Sequence, residues 1–408
     1  MRGLLRASPA FRSLWLARLL SFLGDTVGLI ALLLYTADRF GTGLAVALLM
    51  IAADFVPSLL GPLTGVAADR FDKRRVLVAC ELGQGAIVAV IAATLPSLPL
   101  LLALVAVQSC VAAVFQAASR SAVPGLVATA DLERANAAIG LGTNGMDSVG
   151  PLAGAALLAW LPVRGLLLID VATFVLSAAL LLLLPGLTSQ PSRPTTRPQD
   201  MLRDAADGVA ELWRSTAIRL ITLMFCLVVL FNGVDDVALV FLARHTLHAG
   251  NSAASLVYAG SGLGLLVGFL VLARAAPRLA LPLLLVGGYA VSSLGNLLTG
   301  LSVSVVTVLG YQVIRGLGVA AMDVGHTTAI QQVARPDLIG RMFGNVYGAV
   351  GAAAGLSYLF GGLLLDATNP RVTFITAGAG GLLAAGLAAL VLPRTLRAAS
   401  RPAAAGRR

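Results

Sequence analysis

Residues 165–198 read GLLLIDVATFVLSAALLLLLPGLTSQPSRPTTRP, and this stretch decides the fold class. From 165 to 185 the chain is apolar except for Asp170, Thr173 and Ser177. A helix of about 20 such residues crosses the hydrocarbon core of a bilayer. The following segment, 185–198, repeats proline too often to be helical. Working outward from this break, spans of similar length fall on either side. Toward the N-terminus they lie near 12–35, 43–66, 76–95, 99–118, 136–160 and 165–185. Toward the C-terminus they lie near 217–243, 252–273, 281–300, 303–330, 342–365 and 371–392. The pattern predicts an all-α membrane protein with twelve transmembrane helices in two groups of six.

Composition agrees. Of the 408 residues, 58% are hydrophobic and 12% are charged, against 45–50% and about 25% in soluble domains. The net charge of +10 does not indicate nucleic acid, because the basic residues sit in short gaps between apolar runs and form no continuous patch. Lys73 is the single lysine, and it follows Asp72, so no Walker-type phosphate loop is present. Cys80, Cys110 and Cys226 are far apart inside apolar runs, with no metal-ligand spacing and no arguable disulfide. Neither cofactor nor metal is expected. Arg2, Arg6 and Arg12 precede an apolar run that continues past Tyr35 without a small-residue cleavage site, which reads as a retained first helix.

Arginine placement gives the orientation. With both termini cytoplasmic, 23 of the 29 Lys and Arg fall in cytoplasmic segments. Four (Arg39, Arg164, Arg244 and Arg371) fall outside, and two (Arg18 and Arg315) fall within spans. This is a strong positive-inside bias, and it predicts a multi-pass protein of the cytoplasmic membrane. The expected organisation is an N-terminal six-helix bundle over 1–185, a cytoplasmic linker over 186–216, a C-terminal six-helix bundle over 217–393 and a basic tail over 394–408. Within the linker, Met201, Leu202, Ala205, Val209, Leu212 and Trp213 recur at helical spacing between charged residues, as in an amphipathic helix on the inner membrane surface.

Two local patterns stand out. Between the second and third spans runs Gly65-Val-Ala-Ala-Asp69-Arg70-Phe-Asp72-Lys73-Arg74-Arg75. An acid ahead of a basic cluster in a tight turn suits a latch, with Asp69 capping a helix N-terminus or pairing with an arginine such as Arg120. In the fifth span, Gly145, Gly150, Pro151 and Gly154 form a run of small residues around a proline, which permits close helix approach and a bend. Glycines 260, 262 and 264 mimic a dinucleotide fingerprint, but they lie inside an apolar span and read as packing positions.

The loop at 65–75 resembles the signature G-x-L-A-D-R-x-G-R-R of the major facilitator superfamily, with Ala67 in place of leucine and Asp72 in place of the second glycine. Its form is similar to that of the branch containing macrolide and siderophore exporters. The fifth-span pattern resembles G-x-x-x-x-G-P-x-x-G-G of exporting members, with Ala155 for the last glycine. Span count, central loop and charge layout extend the likeness over the whole chain. The resemblance implies two six-helix bundles around a central cavity that work by alternating access.

Ionisable residues inside a bilayer are costly and mark pathways for ions or substrate. Asp25 lies midway along the first span, with Arg18 and Ser21 on the same face. Asp54 lies near Pro57 in the second span, and Asp147 lies in the fifth. Asp170 reads as a structural cap near the outer surface. In the seventh span Asn232, Asp235 and Asp236 share a face, and two adjacent carboxylates repel, which suits groups that take up and release protons. In the tenth span Arg315, Asp323 and His326 lie within about 80° of one another and form a polar stripe in which Arg315 pairs with Asp323. Arg315 and Gly316 resemble the arginine-glycine element that the family often carries in its fourth helix, where this chain has Gln108.

These features predict a carrier, not an enzyme: a monomer in the lipid bilayer that exports small amphiphilic molecules, drug- or siderophore-like, in exchange for protons. An uptake permease of the same fold and a non-transporting membrane sensor are the alternatives.

Overall fold

The structure is a computed structural model that describes residues 5, 8–59, 72–128, 131–158, 160–186, 215–275, 279–333 and 339–399. Gly65, Asp69 and Arg70 of the latch and the amphipathic stretch 201–214 lie outside the described residues. The described residues form helices and no strand. In unit 1, α1 runs over Pro9–Phe40. α2 opens as Gly43–Met50, passes through a π turn at Ile51–Phe55 and continues as Val56–Leu59. α3 is Lys73–Thr94, α4 Leu98–Ala122, α5 Leu132–Leu158 and α6 Val163–Leu181.

α7 opens as Thr216–Asn232, resumes at Asp235–Phe241 and ends in a π turn at Leu242–Thr246. Then come α8 (Asn251–Ala275), α9 (Leu281–Gly300), α10 (Val305–Val333), α11 (Ile339–Ala367) and α12 (Pro370–Ala399). Among the described residues ten helices are long and apolar enough to cross a membrane, with shorter apolar helices at Gly43–Ser58 and Val149–Leu158. α12 continues through Pro393 to Ala399, so the first residues of the expected tail are helical.

Two compact units emerge: Met1–Thr195 with Ala243–Gly262, and Thr196–Leu242 with Leu263–Arg408. Inside unit 1, α1 packs on α6 and α5, and α3 packs on α6 and α4. Inside unit 2, α7 packs on α12 and α11, and α9 packs on α12 and α10. The second set is the first shifted by six helices, the mark of an internal structural repeat. Unit 1 takes in Ala243–Gly262 for stated reasons. Arg244 pairs with Asp38 at 3.0 Å, and Ser255 Oγ donates to the Pro151 carbonyl at 2.8 Å.

Polarity is distributed in the reverse of a soluble protein. Leu176, Leu183, Leu283, Leu383 and Leu390 are each more than half exposed, whereas Glu81, Gln84, Asn296, Gln312 and His326 are buried. Lipid is a suitable solvent for the former, and partners inside the bundle serve the latter.

Local signals start and stop the helices. Ser8 caps α1 by accepting from Phe11 N at 3.1 Å, and its own hydroxyl donates to Leu126 O at 2.8 Å. α1 ends at Gly41, which adopts φ 68° and returns its N–H to Ala37 O. Asp72, the departure from the family pattern, is the N-cap of α3: it accepts from Arg75 N at 3.0 Å. Lys73 Nζ donates to Ser121 O at 2.7 Å, tying the start of α3 to the end of α4. The far end of α3 is held by Arg164, which donates to the carbonyls of Ala92 and Ala93 at 2.7 and 2.6 Å.

The approach of α1 to α6 depends on Gly24 and Gly28. A Cβ at Gly24 would overlap Thr173, and one at Gly28 would overlap the Asp170 carboxylate. In unit 2, Gly264 packs in the same way against the Val313 carbonyl of α10, so this glycine serves helix packing.

Two outcomes are expected. Gly28→Ala lowers stability by about 1–3 kcal/mol through overpacking, read as a lower melting midpoint in detergent, while Gly287→Ala, with no atom near its added Cβ, leaves the midpoint unchanged or raises it. Asp72→Ala removes the α3 cap and costs about 1 kcal/mol by the same measurement.

Candidate functional site

Unit 1 contains a cavity of about 450 Å³ bounded by α1, α2, α3, α4 and α6. Its walls are mostly apolar, contributed by Leu29, Leu32, Val88, Val105, Ala112 and Leu167 among others. Three carboxyl groups open onto it, those of Asp25, Asp54 and Asp170, and among the described residues no basic side chain lines it. Asp54 is placed there by the π turn at Ile51–Phe55, which inserts an extra residue per turn just ahead of Pro57. α2 packs on α4 through this turn, where Gln108, Ser109 and Gln116 supply neutral polar lining.

Behind the cavity wall lies a second layer. Arg18, one stripe along α1 from Asp25, is buried and donates to Ser119 Oγ and to Gln116 Oε1, the latter at 2.8 Å. Its partners are therefore neutral acceptors on α4. Glu81 of α3 is completely buried, with both carboxylate oxygens lacking a hydrogen-bond partner. The polar groups facing it are Asp25, Ser21 and Arg18 from α1 and Ser177 from α6. Asp170 is not a cap near a surface. It is buried well inside α6, against Gly24 and Gly28, with Oδ1 unpartnered and with Asp25 and Glu81 as its charged neighbours.

Unit 2 holds a different polar cluster. Asn232 Nδ2 donates to Ser293 Oγ at 3.1 Å and to Ser292 Oγ at 3.4 Å, and Asn296 Nδ2 donates to Asn232 Oδ1 at 3.2 Å. Beyond this amide and hydroxyl network α7 interrupts its winding at Gly233–Val234 and presents Asp235 to Arg315 of α10, at 2.7 Å. Tyr358 of α11 donates to Asp236 at 3.3 Å. Gly295 of α9 makes room for the backbone and Cβ of Arg315.

The structure thus gathers Asn232, Asp235, Asp236 and Arg315 in one place but changes the pairing inferred from helical spacing. Arg315 takes Asp235 across two helices, not Asp323 eight residues along its own. His326 is separate from that pair: it is buried and stacks on Phe225, with ring centroids 4.2 Å apart. Asp147 lies on α5, and its side chain is outside the described residues. Gly150 of the same helix meets Thr26, and Gly154 meets Ser255.

Glu81 escaped the sequence reading. A signal was available, since an acid six residues into an apolar run is as costly there as at Asp25.

The sequence model of the Major Facilitator Superfamily matches residues 14–242 and 223–408. An uncharacterized MFS-type transporter, YfiS, of Bacillus subtilis is 25% identical over 386 residues, covering 92% of each chain. The multidrug efflux pump Tap of Mycobacterium tuberculosis is 26% identical over 407 residues, covering 94% of this chain and 93% of Tap. Among solved structures, a POT family transporter in complex with 5-aminolevulinic acid superposes with a TM-score of 0.76 at 13% identity, covering 95% of this chain and 97% of that one. The nucleoside transporter NupG (D323A mutant) superposes with a TM-score of 0.70 at 14% identity, covering 96% of this chain and all of NupG. With a family match that spans nearly its whole length, this chain belongs to the Major Facilitator Superfamily.

Proposed function

We propose that the protein is a secondary active exporter of lipophilic organic cations, driven by proton exchange across the cytoplasmic membrane through alternating access. The observation that carries this reading is the unit 1 cavity: about 450 Å³, apolar walls, three carboxyl groups and no basic side chain among its described lining residues. An apolar chamber accepts the body of an amphiphile, while Asp25 and Asp54 attract its charge. An anionic siderophore would meet repulsion there, so within the amphiphile class the cavity favours cations.

The likeness to Tap, a multidrug efflux pump, supports export, as does the fifth-span glycine and proline pattern. One-for-one exchange of a monovalent cation for a proton moves no net charge, so the pH difference drives it: one pH unit supplies about 1.4 kcal/mol and sustains a cation gradient of about tenfold. In this reading both termini are cytoplasmic, and the basic turn at 73–75 faces the cytoplasm, as the positive-inside bias requires.

The test uses everted membrane vesicles energised by respiration and a pH-sensitive dye. Adding tetraphenylphosphonium is expected to release protons from vesicles that contain the protein, whereas an anionic amphiphile of similar size is not. Asp25→Asn is expected to reduce the response about tenfold or more, because a carboxylate facing a cation in an apolar cavity contributes about 2 kcal/mol or more. Equal responses to the cation and the anion, or an undiminished response in an Asp25→Asn, Asp54→Asn double variant, would contradict the proposal.

A further inference from the structure

The proton exchange proposed above leaves open which group carries the proton, and this inference rests on that reading. Asp25 and Asp54 line the cavity, where a cationic substrate would meet them. Glu81 is set behind the wall, fully buried, with neither carboxylate oxygen bonded. Among the described residues the charged groups facing it are Arg18 and Asp25 on α1 and Asp170 on α6. Arg18 lies near Glu81, but its guanidinium hydrogen-bonds Ser119 and Gln116 instead.

An ionised carboxylate away from water is costly even with the hydroxyls of Ser21 and Ser177 facing it. Ser177 is also fully buried with its Oγ unpartnered, and it faces Glu81. A proton on Glu81 removes that buried charge and supplies a hydrogen that Ser177 Oγ can accept. Metal binding fits less well, since among the described residues no group of three acidic, histidine or cysteine side chains could hold an ion. The corresponding helix pair in unit 2, α7 and α9, is held by neutral Asn232, Ser292, Ser293 and Asn296, all hydrogen-bonded. A polar crossing of these helices therefore needs no acid, and Glu81 calls for a separate explanation.

We propose that Glu81 is the proton-carrying group of unit 1. A proton from the outer side binds a Glu81 carboxylate oxygen and bonds toward Ser177. It leaves to the cytoplasm when a cation docks at Asp25. The cation's charge stabilises ionised Glu81, and the proton's charge opposes the cation, so each ligand weakens the other by the same factor. Arg18 is near enough to Glu81 to compensate its charge once the proton has gone.

The experiment pairs binding with flux, using tetraphenylphosphonium as the probe and purified protein. Wild type is expected to bind the probe more tightly as pH rises across about two units around neutrality, and to move it under a proton gradient. Glu81→Gln is expected to bind it within about threefold of wild type with a weaker pH dependence, the remainder coming from Asp25 and Asp54. The discriminating readout is flux, because Asp25 and Asp54 still titrate in this variant: gradient-driven flux is expected to fall to background, while probe-for-probe exchange, which moves no proton, continues. Glu81→Asp is expected to regain part of the driven flux.

A wild type without driven flux would overturn the exchange reading and this inference with it. A driven wild type and an equally driven Glu81→Gln would overturn the Glu81 assignment alone. If Glu81→Gln fails to fold, a Ser21→Ala, Ser177→Ala double variant is measured instead. A shifted pH midpoint of probe binding supports the assignment, and an unmoved midpoint overturns it.

Discussion

The bilayer interior supplies no hydrogen bonds, and that constraint orders everything else in this molecule. It forces the backbone into helices, sends leucine outward and confines charge to places where the bundle itself can manage it. Twelve helices meet the first demand among the described residues. Their apolar outer faces, such as those bearing Leu383 and Leu390, meet the second. The third is met differently in the two units, and the difference carries the functional argument.

In unit 2 the buried carboxylate Asp235 faces a cation. An amide and hydroxyl network joins α7 to α9, and Arg315 neutralises Asp235. In unit 1 the charges are held apart. Arg18 spends its donors on neutral acceptors while Glu81 and Asp170 keep unpartnered oxygens. Separation of this kind is costly for stability, and functional sites are where such costs persist. The glycines at 24 and 28 make it sterically feasible, because only a bare backbone allows the Asp170 side chain to lie against α1.

Much of the fold was legible in the sequence. The proline-rich break at 185–198 and the runs on either side gave the helix count, and the charge pattern at 65–75 carried the family resemblance. Helical periodicity placed Asn232, Asp235 and Asp236 on one face but could not supply the partner for Arg315. Pairing across helices depends on how α7 breaks at Gly233 and how closely α9 approaches at Gly295, which are tertiary facts. Asp54 was visible as a charge near Pro57, whereas the π turn that aims it into the cavity is a register change without a sequence mark. Asp170 looked like a cap because a carboxyl near a helix start often is one. Its burial follows from the paired glycines on another helix.

The central claim is that a proton gradient alone drives a lipophilic cation through this protein in the opposite direction. The direct measurement is tetraphenylphosphonium flux in liposomes containing only the purified protein, with a pH difference imposed first in one sense and then in the other. The account predicts cation movement opposite to the proton gradient that reverses when the gradient is reversed. Flux that ignores the sign of the gradient, or that follows the protons, would contradict it.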